Sequence, residues 1–391
     1  MSRKRVLVYV QHLLGIGHLR RAATLARALA ASDLDVTLVS GGFEVPGLSL
    51  AGIRWVQLPP AGAIDERFSV LVDAQGDPVD DAWRARRREA LLAAWRAVEP
   101  QVLLLELFPF GRRQMRFEIL PWLDQAIAAA RRPVIVSSVR DILGGGQRDP
   151  ARQDEMLANF ERYFDRVVVH GDPHWLRFDR TFRHARVLGE RLHYTGYVVD
   201  RDERAQPPGS EGHGEVLVSA GGGAVGAALL ETAIRCRTRT TLAPRTWRVL
   251  TGVNIAPAAS ARLRVLAADT GDGRVIVEES RDDFRVLLGN SALSISQAGY
   301  NTLMEILDTG ARAVVVPFAG GAEIEQTLRS RLLAESGRIE CVAEADLTPE
   351  TLAAAVDRAA GRPRPPPAAV DLNGARRSAE LIAGWARDVP W

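Results

Sequence analysis

Short runs of Val, Ile and Leu punctuate the chain, and between them lie longer stretches in which apolar residues recur every three to four positions. The runs at 6–10 (VLVYV), 36–39 (VTLV), 53–58 (IRWVQL), 102–107 (VLLLEL), 134–138 (VIVSS) and 166–170 (RVVVH) predict strands buried on both faces. Such strands belong to a parallel sheet covered by crossover helices. Residues 19–31 show the helical counterpart. Leu19, Ala22, Ala23, Ala26, Leu29 and Ala30 share one face, and Arg20, Arg21, Thr24 and Arg27 are expected on the solvent side.

The alternation stops over Asp200–Gly214 (DRDERAQPPGSEGHG), which carries charges, paired prolines and glycines but no apolar period, and reads as a linker. It restarts with strands at 215–219, 247–251, 274–278, 292–296 and 313–317. A proline-rich piece, RPRPPP at 362–367, precedes a last helical pattern from about Asn373 to Arg387. The expected organisation is α/β: a first domain at 1–199, a linker at 200–214, a second domain at 215–372, and a terminal helix at 373–391 that packs back on the first domain. Two open parallel sheets in series would face a cleft, with ligands outside the carboxyl ends of the strands.

Composition narrows the chemistry. With 391 residues, 47% hydrophobic and 25% charged, the chain is long enough for two independent cores. Its 50 basic and 48 acidic residues nearly cancel, which gives no argument for a nucleic-acid partner. Lys4 is the only lysine. A GxxxxGK[ST] phosphate loop and a Schiff-base mechanism both need a lysine in the site, so both are excluded. Cys236 and Cys341 form no CxxC pair or disulfide framework, which favours a reducing cytoplasm. No apolar run approaches the ~18 residues a membrane span requires.

Four loops that follow strands could carry chemistry. The first, QHLLGIGHLR at 11–20, has Gly15 and Gly17 for close backbone approach and His18 at a helix start. His18 is either a general base for a substrate hydroxyl or a helix cap. The second, SAGGGAVG at 219–226, offers the N–H groups of Gly221, Gly222 and Gly223, with Ser219 beside them, to a phosphate. Its spacing is not the GxGxxG of dinucleotide binding. The third, LSISQAGYNTLMEIL at 293–307, places Asn301 or Thr302 as a cap and Glu305 on a first helical turn. There Glu305 either receives a ribose diol or closes a capping box with Thr302. The fourth, PFAGGAEIEQ at 317–326, sets Glu325 and Gln326 at a helix start behind Gly320 and Gly321, as dipole complements or as ligands of sugar hydroxyls.

Further polar groups follow other strands. Glu106 and Asp141 could each orient His18 or act as the base, and Asp141 is the preferred second acid. Asp141 is equally readable as a turn or cap. Asp33-Leu34-Asp35 lies at the wrong end of its strand for a metal site, and His170 with His174 lacks a third ligand. No metal is expected.

Together these pieces resemble the GT-B glycosyltransferases, and within them the family 28 group. The resemblance rests on the G-x-G-H loop (Gly15, Gly17, His18), the glycine turn 221–223, SQAGYNTLMEIL, and VVVPF followed by an E-x-E-Q helix. It implies two Rossmann-like domains, a nucleotide-diphosphate sugar held mainly by the second, and an acceptor held by the first. It also implies contacts of the base and ribose with the region of Phe284 and with the turn from Gln297 through Gly299 to Glu305. Glu325 and Gln326 would then face the donor sugar. The chain departs from the family where a serine-containing turn is usual and Gly221 stands, and a hinge arginine has no counterpart closer than Arg201.

The expected activity is a metal-independent, inverting sugar transfer that uses no cofactor, with a UDP-sugar favoured as donor. The alternatives are a sugar-nucleotide 2-epimerase or a non-catalytic nucleotide-sugar-binding protein. The acceptor is open between a small molecule, a peptide and a lipid-linked compound. Residues 61–95, with Phe68, Trp83, Arg84, Arg86, Arg87, Arg88, Leu91, Leu92 and Trp95, read either as a peripheral contact with the inner face of the membrane or as a helix with a buried face.

Overall fold

A computed structural model describes all residues except 1–2, 14, 46, 65–69, 145–148, 202–210, 222–225, 253–254, 321–323 and 367–369. Two compact units divide the chain: residues 1–199 with 370–391, and residues 200–369.

The first unit contains β1 (Arg5–Val10), α1 (Gly17–Ala31), β2 (Asp35–Ser40), β3 (Ile53–Gln57), a short antiparallel pair β4 (Gly62–Ala63) and β5 (Leu71–Val72), α2 (Asp81–Val98) and β6 (Val102–Glu106). After these come α3 (Arg116–Ala128), β7 (Val134–Arg140), α4 (Pro150–Tyr163), β8 (Arg166–His170) and β9 (Leu192–Tyr194). Its main sheet is parallel, in the order β3-β2-β1-β6-β7-β8-β9. Alternate strand residues feed two cores, which is why these strands read as unbroken apolar runs. Leu7, Leu103, Ile135 and Val167 meet Leu91 of α2, Trp122 of α3 and Phe160 of α4 on one face. Val6, Val8, Leu104 and Val136 meet Leu19, Ala22, Ala23 and Ala26 of α1 on the other.

The second unit runs β10 (Val216–Ser219), α5 (Ala227–Cys236), β11 (Trp247–Thr251), α6 (Pro257–Ala268), β12 (Val275–Glu279), α7 (Phe284–Asn290), β13 (Leu293–Gln297), α8 (Tyr300–Thr309), β14 (Ala313–Val316), α9 (Glu325–Glu335), β15 (Glu340–Cys341) and α10 (Pro349–Gly361). Its sheet is parallel, in the order β12-β11-β10-β13-β14-β15.

The chain then returns to the first unit. Tyr197 N donates to Asp371 O at 2.7 Å and Gly374 N to Tyr197 O at 2.9 Å. A Cβ at Gly374 would overlap the Gly196–Tyr197 backbone, so the crossing requires glycine. The final helix, α11 (Gly374–Asp388), lays Ala379, Ile382, Ala383 and Ala386 against the core that α1 shares. Its small residues suit close helix packing.

Several boundaries differ from the sequence reading. Arg201, expected in the linker, donates to Asp308 at 2.6 Å, and Gly214 N donates to Asn290 O at 3.1 Å. Both ends of the predicted linker are therefore built into the second unit. Arg21 and Thr24 of α1 are buried, not solvent-facing. In α2, Trp83, Leu91, Leu92 and even Arg87 point into the core, which answers the amphipathic pattern with a buried face; Phe68 lies outside the described residues. Among the described residues no helix is long and apolar enough to cross a membrane.

Candidate active site

In each sheet the strand order reverses between its first strand and a later neighbour, β1 beside β6 and β10 beside β13. Crossovers leave in opposite directions there, opening a crevice at the carboxyl ends. Glu106 ends a strand at the first of these places, and Ser219 and Gln297 end strands at the second.

In the first unit the loop after β1 delivers His18 opposite Glu106, the last residue of β6. His18 is the second residue of α1 and caps nothing, since Ile16 holds the cap position without a side-chain bond. Arg140 Nη2 lies 3.0 Å from His18 Nε2. A guanidinium can only donate, so Nε2 accepts and Nδ1 carries the proton, which it donates to Glu106 Oε1 at 2.7 Å. Arg21 of α1 also donates to that oxygen from a fully enclosed position. The imidazole is 18% exposed and the carboxylate 1%, so solvent reaches His18 and not its partner.

Burial lowers the pKa of His18 to about 3, with Arg112 and Arg140 acting in the same direction and Glu106 opposing them. His18 is therefore neutral at physiological pH, the protonation state a general base needs. Burial pushes the Glu106 carboxyl up, but His18 and Arg21 beside it outweigh that and hold it below its usual range. It is an anion ready to stabilise an imidazolium.

Asp141, the acid preferred from sequence, does not fill this place. It is buried and its Oδ2 accepts from Tyr197 Oη at 2.5 Å. The residue one step beyond β7 turns away from β6, and the carboxylate on His18 comes from β6 itself. His170 stays structural: its Nδ1 meets Thr195 Oγ1 at 2.9 Å and its Nε2 meets Ser138 Oγ at 2.7 Å. Sequence reasoning missed three residues around His18: Arg112, Arg140 and Arg21. The signal of Arg21, an arginine three positions after His18 on a helix, was misread as a solvated face.

In the second unit Ser219 ends β10 beside Ser296 of β13, and their Oγ atoms are buried with no hydrogen-bond partner among the described residues. Gly221 and Gly226 flank the glycine turn with φ of +68° and +124°, a left-handed backbone that favours glycine. Gly222 and Gly223 lie outside the described residues, as does Gly321.

The third loop is built differently from expectation. Helix α8 begins at Tyr300 with Gly299 as its cap and no side-chain cap bond, so neither Asn301 nor Thr302 caps it and no capping box with Glu305 forms. Glu305 is the sixth helical residue, on the second turn and half-buried. Gln297 ends β13, and Phe284 opens α7, half-buried.

After β14, Gln326 Oε1 accepts from Phe318 N at 3.1 Å, which ties the loop containing Gly320 to α9. Glu325, expected on the donor sugar, accepts from Arg329 Nη2 at 3.3 Å with only 8% of its side chain exposed. Its carboxylate anchors the start of α9. No group of three His, Cys, Asp or Glu side chains among the described residues is placed to hold a metal.

Two parallel α/β units with this strand order, the last helix returning to the first unit, define the GT-B class of fold. Solved glycosyltransferases share it over nearly their whole length. MurG of Acinetobacter baumannii aligns with a TM-score of 0.58 at 15% identity, covering 97% of this chain and 99% of that one. A UDP-glucosyltransferase from Polygonum tinctorium gives 0.61 at 16%, covering 100% and 94%. The spinosyn rhamnosyltransferase SpnG in complex with thymidine diphosphate gives 0.59 at 16%, covering 98% and 96%.

Residues 219–380 match the glycosyltransferase family 28 C-terminal domain. A curated relative is the UDP-N-acetylglucosamine–N-acetylmuramyl-(pentapeptide) pyrophosphoryl-undecaprenol N-acetylglucosamine transferase of Granulibacter bethesdensis, 29% identical over 255 residues. That match spans 61% of this chain and 58% of the relative, less than two thirds of its length. By these likenesses the chain resembles glycosyltransferase family 28, the family model matching residues 219–380.

Proposed function

We propose that the protein moves a sugar from a UDP-sugar to an acceptor hydroxyl, with inversion at the anomeric carbon and without a metal. The observation that carries this reading is the Glu106–His18 pair: a buried carboxylate on Nδ1 of an imidazole whose Nε2 can only accept. His18 Nε2 takes the acceptor's proton as its oxygen attacks the anomeric carbon, and the bond from that carbon to the β-phosphate oxygen breaks. Attack opposite the leaving group gives inversion. Arg140, now on Nε2, yields that position to the acceptor. Glu106 stabilises the imidazolium formed.

The departing diphosphate is received by the N–H of Gly221 and by the α5 N-terminus, residues 222–225 lying outside the described residues. Ser219 adds a hydroxyl. The turn 297–305 takes the nucleoside, with Glu305 on the ribose diol and Phe284 beside the base, and Gly320 and Gln326 border the sugar. UDP as the nucleotide and a lipid-linked acceptor are supported by the name of the Granulibacter relative.

The test is UDP release from UDP-N-acetylglucosamine and UDP-glucose in EDTA, with and without candidate acceptors, and product analysis by mass. Glycoside product with wild type, its loss in His18→Ala and an unchanged melting shift with UDP are expected. Turnover in His18→Ala would remove the base role, and a free epimerised sugar as the sole product would replace transfer with epimerisation.

A further inference from the structure

A second buried charge pair lies in the first unit, on the α2–α3 side. Arg87 of α2 and Glu118 of α3 are both fully buried. Arg87 Nε donates to Glu118 Oε2 at 2.6 Å and Nη2 to Oε1 at 2.9 Å, while Tyr9 Oη donates to the same Oε1 at 2.5 Å. The other guanidinium donors go to loops. Nη1 reaches Gly41 O at 2.7 Å and Pro59 O at 2.5 Å, and Nη2 reaches Gln11 Oε1 at 2.5 Å. All five N–H groups of Arg87 are thus used, two on Glu118 and three on the loops that follow β1, β2 and β3. Gly41 is glycine because a Cβ there would overlap both Arg87 and Gln11.

Gln11 passes this constraint onward. With its oxygen turned to Arg87, its amide nitrogen faces the other way and donates to His12 O at 2.6 Å and Ala61 O at 3.0 Å. A flipped amide would put N–H against N–H and oxygen against oxygen at every one of these contacts. The backbone oxygen of Gln11 accepts from Arg112 Nε at 2.6 Å, and the charge of Arg112 acts on both His18 and Glu106.

We propose that Gln11 is a positioning residue: its amide, oriented by the buried Arg87–Glu118 pair, fixes the start of the loop that carries His18. The inference deepens the proposed function by naming what holds its base. The geometry behind it stands whether or not His18 is that base.

The test is 15N NMR of histidine-labelled protein from pH 5 to 8, with His18 signals identified by their loss in His18→Gln. In wild type His18 stays neutral, protonated on Nδ1 only. Gln11→Met removes all three side-chain bonds and leaves Arg87–Glu118 in place. It is expected to let water into the loop and raise the His18 pKa from about 3 to above 5, into the titrated range and toward its ordinary 6.5, with the UDP melting shift kept. Gln11→Glu retains an acceptor for Arg87 but loses both N–H donors, and it carries the test should Gln11→Met fail to fold. Unchanged His18 titration and tautomer in the folded variant overturn the proposal. A moved His18 signal with undiminished UDP release would instead remove His18 from the reaction and leave the positioning role standing.

Discussion

Acidification from pH 7 to pH 5 is expected to weaken the first unit through three buried histidines. Burial lowers His12 to about 4 and His18 and His170 to about 3, against 6.5 in the unfolded chain. Because each folded-state pKa lies below the unfolded one, the unfolded chain binds more protons between about 3 and 6.5, and stability rises with pH across that window. At pH 5 each histidine costs about 2 kcal/mol, from 1.5 pH units at ~1.36 kcal/mol per unit. The three together cost on the order of 6 kcal/mol, comparable with the whole stability of an ordinary domain. Depressed carboxylates such as Glu106 do not offset this, since their contribution is lost only below about pH 4.5. Urea unfolding at pH 5 and 7 measures the difference. His18→Gln retains an N–H toward Glu106 and is expected to remove about a third of the pH dependence. Equal stability at the two pH values, or the same slope in His18→Gln, would refute the reasoning.

Other outcomes follow from single contacts. Glu106→Gln leaves Arg21 enclosed without its anion and His18 without a charged partner, so transfer falls by roughly 100-fold while UDP still raises the melting temperature; a near-normal rate would contradict the dyad. Gly42→Ala drives a methyl group into the His12 ring and costs roughly 1–3 kcal/mol, read in urea unfolding. Ile382→Ala on α11 costs roughly 2–5 kcal/mol, and calorimetry would place the loss in the first unit's transition and not in the second's. Glu305→Ala weakens UDP by about tenfold in isothermal titration, the worth of a charged hydrogen bond to the ribose.

The strands around both switch points were legible because parallel strands buried on two faces must be apolar throughout, and VLVYV, VLLLE and AVVVP can be little else. Gly221 and Gly226 after β10 were legible for a different reason: both hold a left-handed backbone that favours glycine, whereas a Cβ at Gly15 would meet nothing within 4 Å. Partner choice was less legible. Both Glu106 and Asp141 follow strands and both are buried, yet a carboxylate ending β6 and one lying a residue past β7 point to different places. Periodicity also failed for Arg21 and Arg87, because a guanidinium on an apolar helical face is buried only when fixed oxygens await it.

By itself the sequence determined the two α/β units, the loops that follow their strands, and the exclusion of lysine-dependent mechanisms, since these depend on residue type and local period. Tertiary structure alone decided that Glu106 holds His18, that Gly299 caps α8, and that Arg87 ties three loops, one of them through Gln11. Each of these is a contact between segments far apart in the chain, or a choice among near-equal caps. Such choices are settled by the angle at which a side chain leaves its element and by which oxygen lies within about 3 Å of it.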